Sequence, residues 1–292
     1  MKPNSPLCRQ LLPVLSLTLV VGGMGFATPA KADTTTHLSV DYQVALGGFN
    51  FGRVDVQAQV TDTTYQLEAT IKTEGIAEQF FETTFALESQ GIFSGNRVKP
   101  ARFVSTYTEP DSSRRVELLY PHGTAPVMTA SPAYEDGFGP NIGANDVLMT
   151  QDPISALLLP TTNTSPCNRT LPLFDGRRRY DLHLTPDKRP GSLDGMTEMN
   201  GPEGSYSGPV LRCNVKMIPV AGYERKTLIK LLERDDSIKV WLAPVDEGRF
   251  WVPVRLTLRT PFGGAVMRAS RFEVLTSISA PVIPTLCGNC SP

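Results

Sequence analysis

Catalytic and cofactor-binding motifs are absent from the sequence in any context that would support them. The metalloprotease pattern His-Glu-x-x-His does not occur, and the three histidines, His37, His122 and His183, lack the spacing of metal ligands. The nearest approach to a serine-hydrolase nucleophile turn, residues 204–208, carries tyrosine where the serine belongs. These absences favour a protein that is not an enzyme and that holds no metal or cofactor.

The sequence also lacks basic runs, internal repeats and long helical periodicity. Its 28 Lys and Arg stand against 29 Asp and Glu, for a net charge of −1. We expect no nucleic-acid partner, because proteins that bind nucleic acid carry a basic patch. Beyond the N-terminal region no apolar run is long enough to cross a bilayer, which takes about 20 residues.

The N-terminal segment has the three parts of a secretory signal peptide. Lys2 and Arg9 form its basic start, residues 11–26 are almost wholly apolar or small, and Ala30-Lys31-Ala32 matches the small-x-small cleavage pattern. We therefore expect residues 1–32 to be removed and the mature protein to lie in the periplasm. An uncleaved membrane anchor is the alternative, although the apolar run is short for a span.

The cysteines become an even set of four once Cys8 is lost with the signal peptide. In an oxidising compartment an even set indicates disulfide bonds, and four cysteines allow three pairings. We favour Cys167–Cys213 within the domain and Cys287–Cys290 in the tail. The Cys287-x-x-Cys290 spacing also occurs in redox proteins, but there a helix begins at the motif, whereas only two residues follow Cys290. An unpaired tail is the other alternative.

Apolar residues alternate with polar ones along most of the sequence, a pattern typical of half-buried β-strands. Residues 40–46 alternate up to Gly47-Gly48 and the alternation resumes over residues 53–60, which predicts a hairpin. Further strands are predicted at residues 65–71, 84–93, 102–108, 115–120, 126–130, 171–174, 178–185, 209–219, 238–243, 251–259 and 265–274. This pattern predicts a mainly β fold: an antiparallel β-barrel, half-barrel or sandwich with one or two short helices. We expect a single domain over residues 33–275 and a tail at residues 276–292.

One helix is predicted at residues 151–159. Asp152 is placed to cap it, Pro153 suits the first helical position, and Pro160 ends it. Because its second half is apolar nearly all round, this helix should be buried, either as part of the core or as one wall of an apolar cavity. We also predict a helical turn at residues 77–83 and two long loops at residues 131–150 and 188–204.

Asp175-Gly176, between two extended runs, predicts a hairpin with a two-residue turn of type I′, in which both residues have positive φ. The strand that follows begins with Arg177, Arg178 and Arg179. These side chains either form an anion site for phosphate or carboxylate, or lie on the solvated face of the strand and pair with nearby acids.

Several of these elements together resemble an exported bacterial family, the domain of unknown function 3108. The resemblance covers residues 38–274. The residues that carry it are Tyr42-x-Val44 with Gly47-Gly48, Asp152-Pro153-x-Ser155-Ala156-Leu157-Leu158, Cys167, Phe174-Asp175-Gly176-Arg177-Arg178-Arg179-Tyr180-Asp181-Leu182, Tyr206-x-Gly208-Pro209, Cys213, Trp241-Leu242, Pro253-Val254-Arg255 and Thr260-Pro261-Phe262-Gly263. The resemblance implies a β-rich protein of the Gram-negative envelope and carries no catalytic residues with it.

From the sequence we expect a non-enzymatic binding or carrier module for an apolar or amphipathic ligand of the cell envelope. The candidate ligand contacts are Leu157, Leu158, Phe174 and Trp241 for apolar surface and Arg177 and Arg179 for an anionic head group. A structural or assembly protein that binds another envelope protein is the first alternative. An enzyme acting on envelope polymers is the second, and it would need a cleft with converging carboxylates or a Ser/His pair.

Overall fold

The structure is a computed structural model that describes residues 34–135, 142–161, 165–187, 196–223, 227–234, 237–261 and 263–278. The expected signal peptide, residues 1–32, and the expected Cys287–Cys290 pair lie outside the described residues. Export, cleavage and the state of the tail cysteines therefore stay predictions.

Strands make up most of the described chain. We number them in chain order: β1 (Thr34–Leu46), β2 (Phe49–Val60), β3 (Thr64–Thr73), β4 (Thr84–Ser94), β5 (Arg97–Glu109), β6 (Ser112–Leu119), β7 (Val127–Ser131), β8 (Leu159–Pro160), β9 (Arg169–Phe174), β10 (Arg179–Pro186), β11 (Met196–Asn200), β12 (Ser207–Ala221), β13 (Ile238–Val245), β14 (Phe250–Thr260) and β15 (Gly263–Ile278). The helical elements in these ranges are two single 3₁₀ turns, Ala77–Gln79 and Ser155–Leu157, and one α-helix, α1 (Thr227–Leu232).

All fifteen strands of the described ranges belong to one sheet with antiparallel ladders. The first seven form a meander, and Gly47 and Gly48, at φ 59° and 90°, make the predicted hairpin turn between β1 and β2. β15 pairs with β1, and the order continues through β14, β13, β12 and β10 to β9, while β11 pairs with β12 and β8 with β14. No ladder joins β7 to β9 within the described residues, so the sheet is open. The predicted mainly β, antiparallel fold is confirmed.

The predicted alternation decides which face of the sheet is buried, because successive side chains of a strand point to opposite faces. In β3, Tyr65, Leu67 and Ala69 are at most 5% exposed, whereas the polar residues between them are exposed. Phe250 of β14, from the other half of the sheet, belongs to the same buried cluster as Tyr65. The curved sheet thus encloses one core with side chains from both halves of the chain.

The opposite face of the C-terminal strands is covered as well. In β13, Val245 belongs to the first core, whereas Leu242 lies in a second buried cluster together with Cys213 of β12. Ile229 of α1 packs against this second cluster. Burial on both faces explains why β13 is an almost continuous apolar run and not an alternating one.

The segment predicted as a helix, residues 151–159, forms one 3₁₀ turn instead. Asp152 caps this turn as expected, since its Oδ1 accepts the backbone N–H groups of Ile154 and Ser155 at 3.1 and 2.8 Å. The turn ends at once because the residues that follow form β8, which pairs with β14. Pairing with the sheet overrides the local preference for helix, so the prediction was wrong beyond the first turn.

Asp175-Gly176 lies in a hairpin as predicted, but the turn is of another type. Four residues connect β9 to β10, and of the Asp-Gly pair only Gly176 has positive φ, 96°. The Oδ1 atom of Asp175 accepts the backbone N–H groups of Arg177 and Arg178 at 2.8 and 2.7 Å. The aspartate side chain therefore closes a longer connection, and the prediction of a type I′ turn was wrong.

The predicted loop at residues 188–204 contains a strand that the sequence analysis missed. β11 lies within it and pairs with the first residues of β12. Residues 196–200 offered no clear alternation because most of them are exposed. Residues 188–195 lie outside the described residues.

The predicted Cys167–Cys213 disulfide is confirmed. Both residues are 0% exposed, and the bond joins positions 46 residues apart in the sequence. It fastens the segment just before β9 to β12, across the second buried cluster. The start of β9 is therefore held covalently as well as by its ladder with β10.

Candidate functional site

A cleft of about 970 Å³ lies between the β5–β6 part of the sheet and the strands at its other end, β9 and β10. Its walls come from residues 97–100 of β5, residues 120–124 and Pro126 after β6, residues 147–151, and residues 169–172 of β9. This volume falls in the range of small-molecule sites, about 300–1,000 Å³. In a closed barrel, a hydrogen-bonded ladder would join the two ends of the sheet. Because no such ladder joins the described ends of this sheet, the space there is large enough for a ligand.

The segment 147–151 is held in place by β9. The backbone N–H of Gln151 donates to the carbonyl of Pro172 at 2.9 Å, and the carbonyl of Gln151 accepts the N–H of Phe174 at 3.0 Å. These two bonds occupy backbone groups at the edge of β9. The segment therefore serves as a fixed wall of the cleft.

Apolar side chains cover a large part of the cleft. They include Val98, Leu148, Met149, Leu158 and Leu171. Leu158 is 1% exposed, whereas Leu148 and Met149 are 39% and 79% exposed. Met149 also has a φ of 56°, which is uncommon for a residue with a side chain. The cleft therefore presents apolar surface to solvent, which suits the apolar part of a ligand.

Basic side chains line the same cleft. Arg97, Lys99, Arg169 and Arg179 are among the lining residues, and Asp181 is the one acidic residue in the part of the lining that the structure describes. The Nη1 of Arg179 donates to Oδ1 of Asp181 at 2.6 Å, so this charge is neutralised. Within the described part of the chain, no ion pair neutralises the other three cations. The cleft therefore has an excess of positive charge.

Arg169 is fixed by carbonyl groups. Its Nη1 and Nη2 donate to the carbonyl oxygens of Asn96 and Pro160 at 3.2 and 3.0 Å, and its Nε is buried without an acceptor in the described residues. Burial lowers the pKa of the Arg169 guanidinium, because removal from water disfavours the charged form. The side chain is thus a positioned cation that the neighbouring protein orients but does not neutralise.

Two neutral polar residues, Tyr120 and Gln151, also line the cleft. Tyr120 lines the cleft, and its buried hydroxyl has no hydrogen-bond partner among the described residues. Burial raises the pKa of Tyr120 well above its usual value, so the hydroxyl stays protonated and can donate. Gln151 is 7% exposed and also lines the cleft. Both residues are uncharged.

Asp152 lies fully buried behind the cleft wall. Its Oδ2 accepts the hydroxyl of Ser89 at 2.8 Å, and that hydroxyl oxygen is 3.3 Å from the hydroxyl of Tyr65. Burial raises the pKa of Asp152 to about 6, although the hydrogen bonds from Ser155 and Ser89 oppose the shift. A buried carboxyl of this kind changes its charge near neutral pH.

Replacing Asp152 with asparagine is expected to remove a pH dependence of stability. The carboxyl has a pKa of about 6 in the folded protein and about 3.9 in an unfolded chain, so between these values the folded state binds the proton more tightly. Relative to Asp152→Asn, the free energy of unfolding of the natural protein should therefore fall by about 3 kcal/mol as the pH rises from about 4 to about 7. Above that range the difference should stay constant.

Urea unfolding of both proteins at several pH values measures this difference. Asparagine retains an oxygen that accepts the N–H groups of Ile154 and Ser155, so the comparison isolates ionisation from the loss of the cap. Curves of stability against pH that run parallel for the two proteins would contradict the raised pKa.

The residues that the sequence analysis proposed as ligand contacts are dispersed in the structure. Leu158 and Arg179 line the cleft, and Leu157, the neighbour of Leu158 in the sequence, packs against the first core. Phe174 is 0% exposed in that core.

The remaining two proposed contacts do not line this cleft. The guanidinium of Arg177 lies 4.2 Å from the ring centroid of Tyr134. Trp241 lies between Arg255 and Arg212, at 5.1 and 5.9 Å from its ring. The sequence-proposed set as a whole is therefore not one site, and its role in ligand binding stays a prediction.

Arg97, Lys99, Tyr120 and Arg169 were not identified by sequence reasoning. They come from β5, the connection after β6, and β9, and only the curvature of the sheet brings them together. The alternation in β5 does contain a signal, since Arg97 and Lys99 occupy the polar positions of a strand whose Val98 is buried. This signal marks a solvated face and does not by itself indicate a ligand.

In the described ranges, no group of three or more His, Cys, Asp and Glu side chains is arranged to hold a metal ion. The same ranges contain no helix with the length and apolarity to cross a membrane.

A family model described as "Protein of unknown function (DUF3108)" matches residues 41–270. The chain belongs to this family. The DUF3108 match begins in β1 and ends in β15, so it includes every wall of the cleft and both cysteines of the disulfide. The resemblance seen in the sequence is thereby confirmed.

Two solved structures are similar to this DUF3108 protein. One is a β-barrel-like protein of the domain of unknown function DUF1849 from Brucella abortus, with 10% identity, coverage of 84% of this chain and 99% of that chain, and a TM-score of 0.46. The other is a DUF1329 family protein from Desulfovibrio piger, with 10% identity, coverage of 82% and 85%, and a TM-score of 0.19. Among curated proteins, none matches the chain.

Proposed function

We propose that the protein is exported to the periplasm and acts there as a non-enzymatic binding or carrier module for an apolar or amphipathic ligand of the envelope. The observation that carries this proposal is the cleft of about 970 Å³ with apolar side chains along its walls. Export rests on the signal-peptide pattern of residues 1–32.

The apolar residues at the mouth of the cleft favour binding over a merely imperfect core. Met149 and Leu148 leave apolar surface in water beside Leu171 and Val98, which line the cleft as well. Burying such surface under a ligand is favourable by about 25 cal/mol per Å². The wall segment is also anchored to β9, so the site exists before a ligand arrives, and little ordering is needed on binding.

Native mass spectrometry and solvent extraction of protein purified from the periplasmic fraction test this function. We expect a co-purified amphiphile, and an intact mass that shows removal of residues 1–32. Met149→Asp should reduce the amount of bound ligand, because it replaces exposed apolar surface at the mouth with a carboxylate. Phe80→Asp is the matched control, since Phe80 is 76% exposed and lies outside the cleft. Protein that carries no ligand and binds no added amphiphile would overturn the proposal.

A second candidate function, attachment to another envelope protein, is favoured by an exposed apolar patch. Phe49, Ile76, Phe80 and Phe81 are 65%, 52%, 76% and 47% exposed. The rings of Phe51 and Phe81 are 5.8 Å apart, so the β1–β2 hairpin and the β3–β4 connection contribute to one surface. Exposed patches of this kind mark interaction sites. Cross-linking in cells separates the two functions, because Phe80→Asp should then abolish a specific cross-linked product that Met149→Asp leaves intact.

A further inference from the structure

The positive charge in the cleft has no counterpart in the described protein. Arg169 donates to two carbonyls, and neither it nor Arg97 or Lys99 has a carboxylate within ion-pair distance in the part of the chain that the structure describes. The whole sequence has a net charge of −1, so this excess is local. Cations gathered in a cleft with apolar walls concentrate the electrostatic potential there and attract anions.

Two other arginines of the described chain, Arg179 and Arg212, are largely buried, and each is paired with a carboxylate. The side chains of Arg179 and Arg212 are each 11% exposed, and each lies 2.6 Å from an aspartate oxygen, of Asp181 and Asp187 respectively. A buried charge is stable when it is paired and costly when it is not. Arg169 is partly buried with an enclosed Nε and has no carboxylate among the described residues, which favours a ligand as the partner of its charge.

We infer that the ligand of this cleft is an anionic amphiphile whose oxyanion head group, carboxylate or phosphate, binds at Arg169 with support from Lys99 and Arg97. The inference rests on the proposed function and names the class of ligand. A guanidinium binds carboxylate and phosphate oxygens with more than one N–H group at once, and the two carbonyl bonds fix its orientation beforehand.

The proposed head-group site thus differs from the anion site that the sequence analysis suggested at Arg177 and Arg179. Arg179 already pairs with Asp181, and Arg177 lies over the ring of Tyr134 and does not line the cleft. The apolar tail of the ligand would lie along Leu171, Leu148 and Met149. Polar contact at one end and apolar contact along the wall require an amphiphile and not a small inorganic anion.

Calorimetric titration of the purified mature protein with four probes of equal chain length tests the inference. Dodecanoate and dodecyl phosphate carry the two oxyanions, dodecanol is neutral, and dodecyltrimethylammonium is cationic. We expect at least one oxyanion to bind about tenfold or more tightly than dodecanol, and the cation to bind most weakly. The two anionic probes distinguish a carboxylate ligand from a phosphate ligand.

Variants assign the preference to Arg169. Arg169→Gln should reduce the affinity for the preferred oxyanion by about tenfold or more and leave dodecanol binding unchanged, whereas Arg169→Lys, which keeps the charge but not the several N–H groups, should retain only part of the preference. Arg53→Gln is the control for an arginine outside the cleft. If Arg169→Gln fails to fold, Lys99→Gln tests the same inference, because Lys99 is exposed and makes no described ion pair. The Lys99→Gln variant should bind the oxyanion probes more weakly and dodecanol with unchanged affinity.

The possible outcomes distinguish a failure of this inference from a failure of the proposed carrier function. Dodecanol binding as tightly as both oxyanions, or an equal loss of dodecanol and oxyanion binding in Arg169→Gln, would overturn the inference and leave the carrier function standing. No binding of any probe would overturn both.

Discussion

Replacing Phe174 with alanine is expected to lower the free energy of unfolding by about 4 kcal/mol. The side chain is 0% exposed at the end of β9 and belongs to the first core. Truncation of a fully buried phenylalanine typically costs about 3–5 kcal/mol, because apolar contact is lost and the surrounding residues close the cavity only in part. Urea unfolding, with Phe49→Ala as control, measures the effect. Phe49 is 65% exposed, so its truncation should change stability by less than about 0.5 kcal/mol.

The same variant tests the sequence-based hypothesis that Phe174 contacts the ligand. In the structure Phe174 does not line the cleft, and its backbone N–H supports the neighbouring wall through Gln151. At a urea concentration where Phe174→Ala is still folded, its affinity for an amphiphile should therefore be within about threefold of that of the natural protein. A variant that remains as stable as the natural protein but no longer binds would show that the hypothesis was right and that the burial assigned to Phe174 is wrong.

Most of the fold could be predicted from the sequence, because alternation of apolar and polar residues shows which side chains of a strand are buried. Tyr65, Leu67 and Ala69 alternate with polar residues in the strand predicted at residues 65–71, and all three lie in the core. The prediction of a helix at residues 151–159 was wrong beyond its first turn, and no local sequence pattern indicates the reason. Its last residues hydrogen-bond to β14, which lies about 90 residues later in the chain, and such long-range pairing overrides a short apolar stretch.

The candidate site was much less predictable than the fold. Three arginines are adjacent in the sequence, but in the structure each contacts a different residue. Arg179 forms an ion pair with Asp181, Arg178 forms one with Asp175, and Arg177 lies over the ring of Tyr134. Arginines that are adjacent in the sequence therefore do not form one binding site in the structure.

Arg169 and Lys99 are the converse case. They lie on β9 and β5 and are brought to one cleft only by the curvature of the open sheet. Alternation specifies which face of a strand is buried, but it does not specify which distant strands approach across a gap. The absence of a carboxylate beside Arg169 is likewise a property of three-dimensional packing and leaves no mark in its sequence neighbourhood.

Removing the disulfide is expected to lower the free energy of unfolding by about 3–4 kcal/mol. The bond between Cys167 and Cys213 spans 46 residues of sequence, and a cross-link of that span restricts the unfolded chain by about this amount. The Cys167→Ala/Cys213→Ala double variant is preferable to a reductant, because both sulfurs are buried. Urea unfolding of the two proteins gives the difference, and peptide mapping of the natural protein tests the pairing.

The disulfide also bears on the cleft, because Arg169 follows Cys167 by two residues on β9, and the loop that the bond closes contains all of β9, β10 and β11. Without the bond, the start of β9 is held by its ladder with β10 and by the carbonyl contacts of Arg169. We therefore expect the double variant to lose affinity for an oxyanion probe more than for dodecanol, since the charge of Arg169 is positioned by that segment while the apolar walls at Leu148 and Leu158 are not. Equal affinities in the variant and the natural protein would show that the ladder alone positions Arg169, and that the bond contributes only to stability.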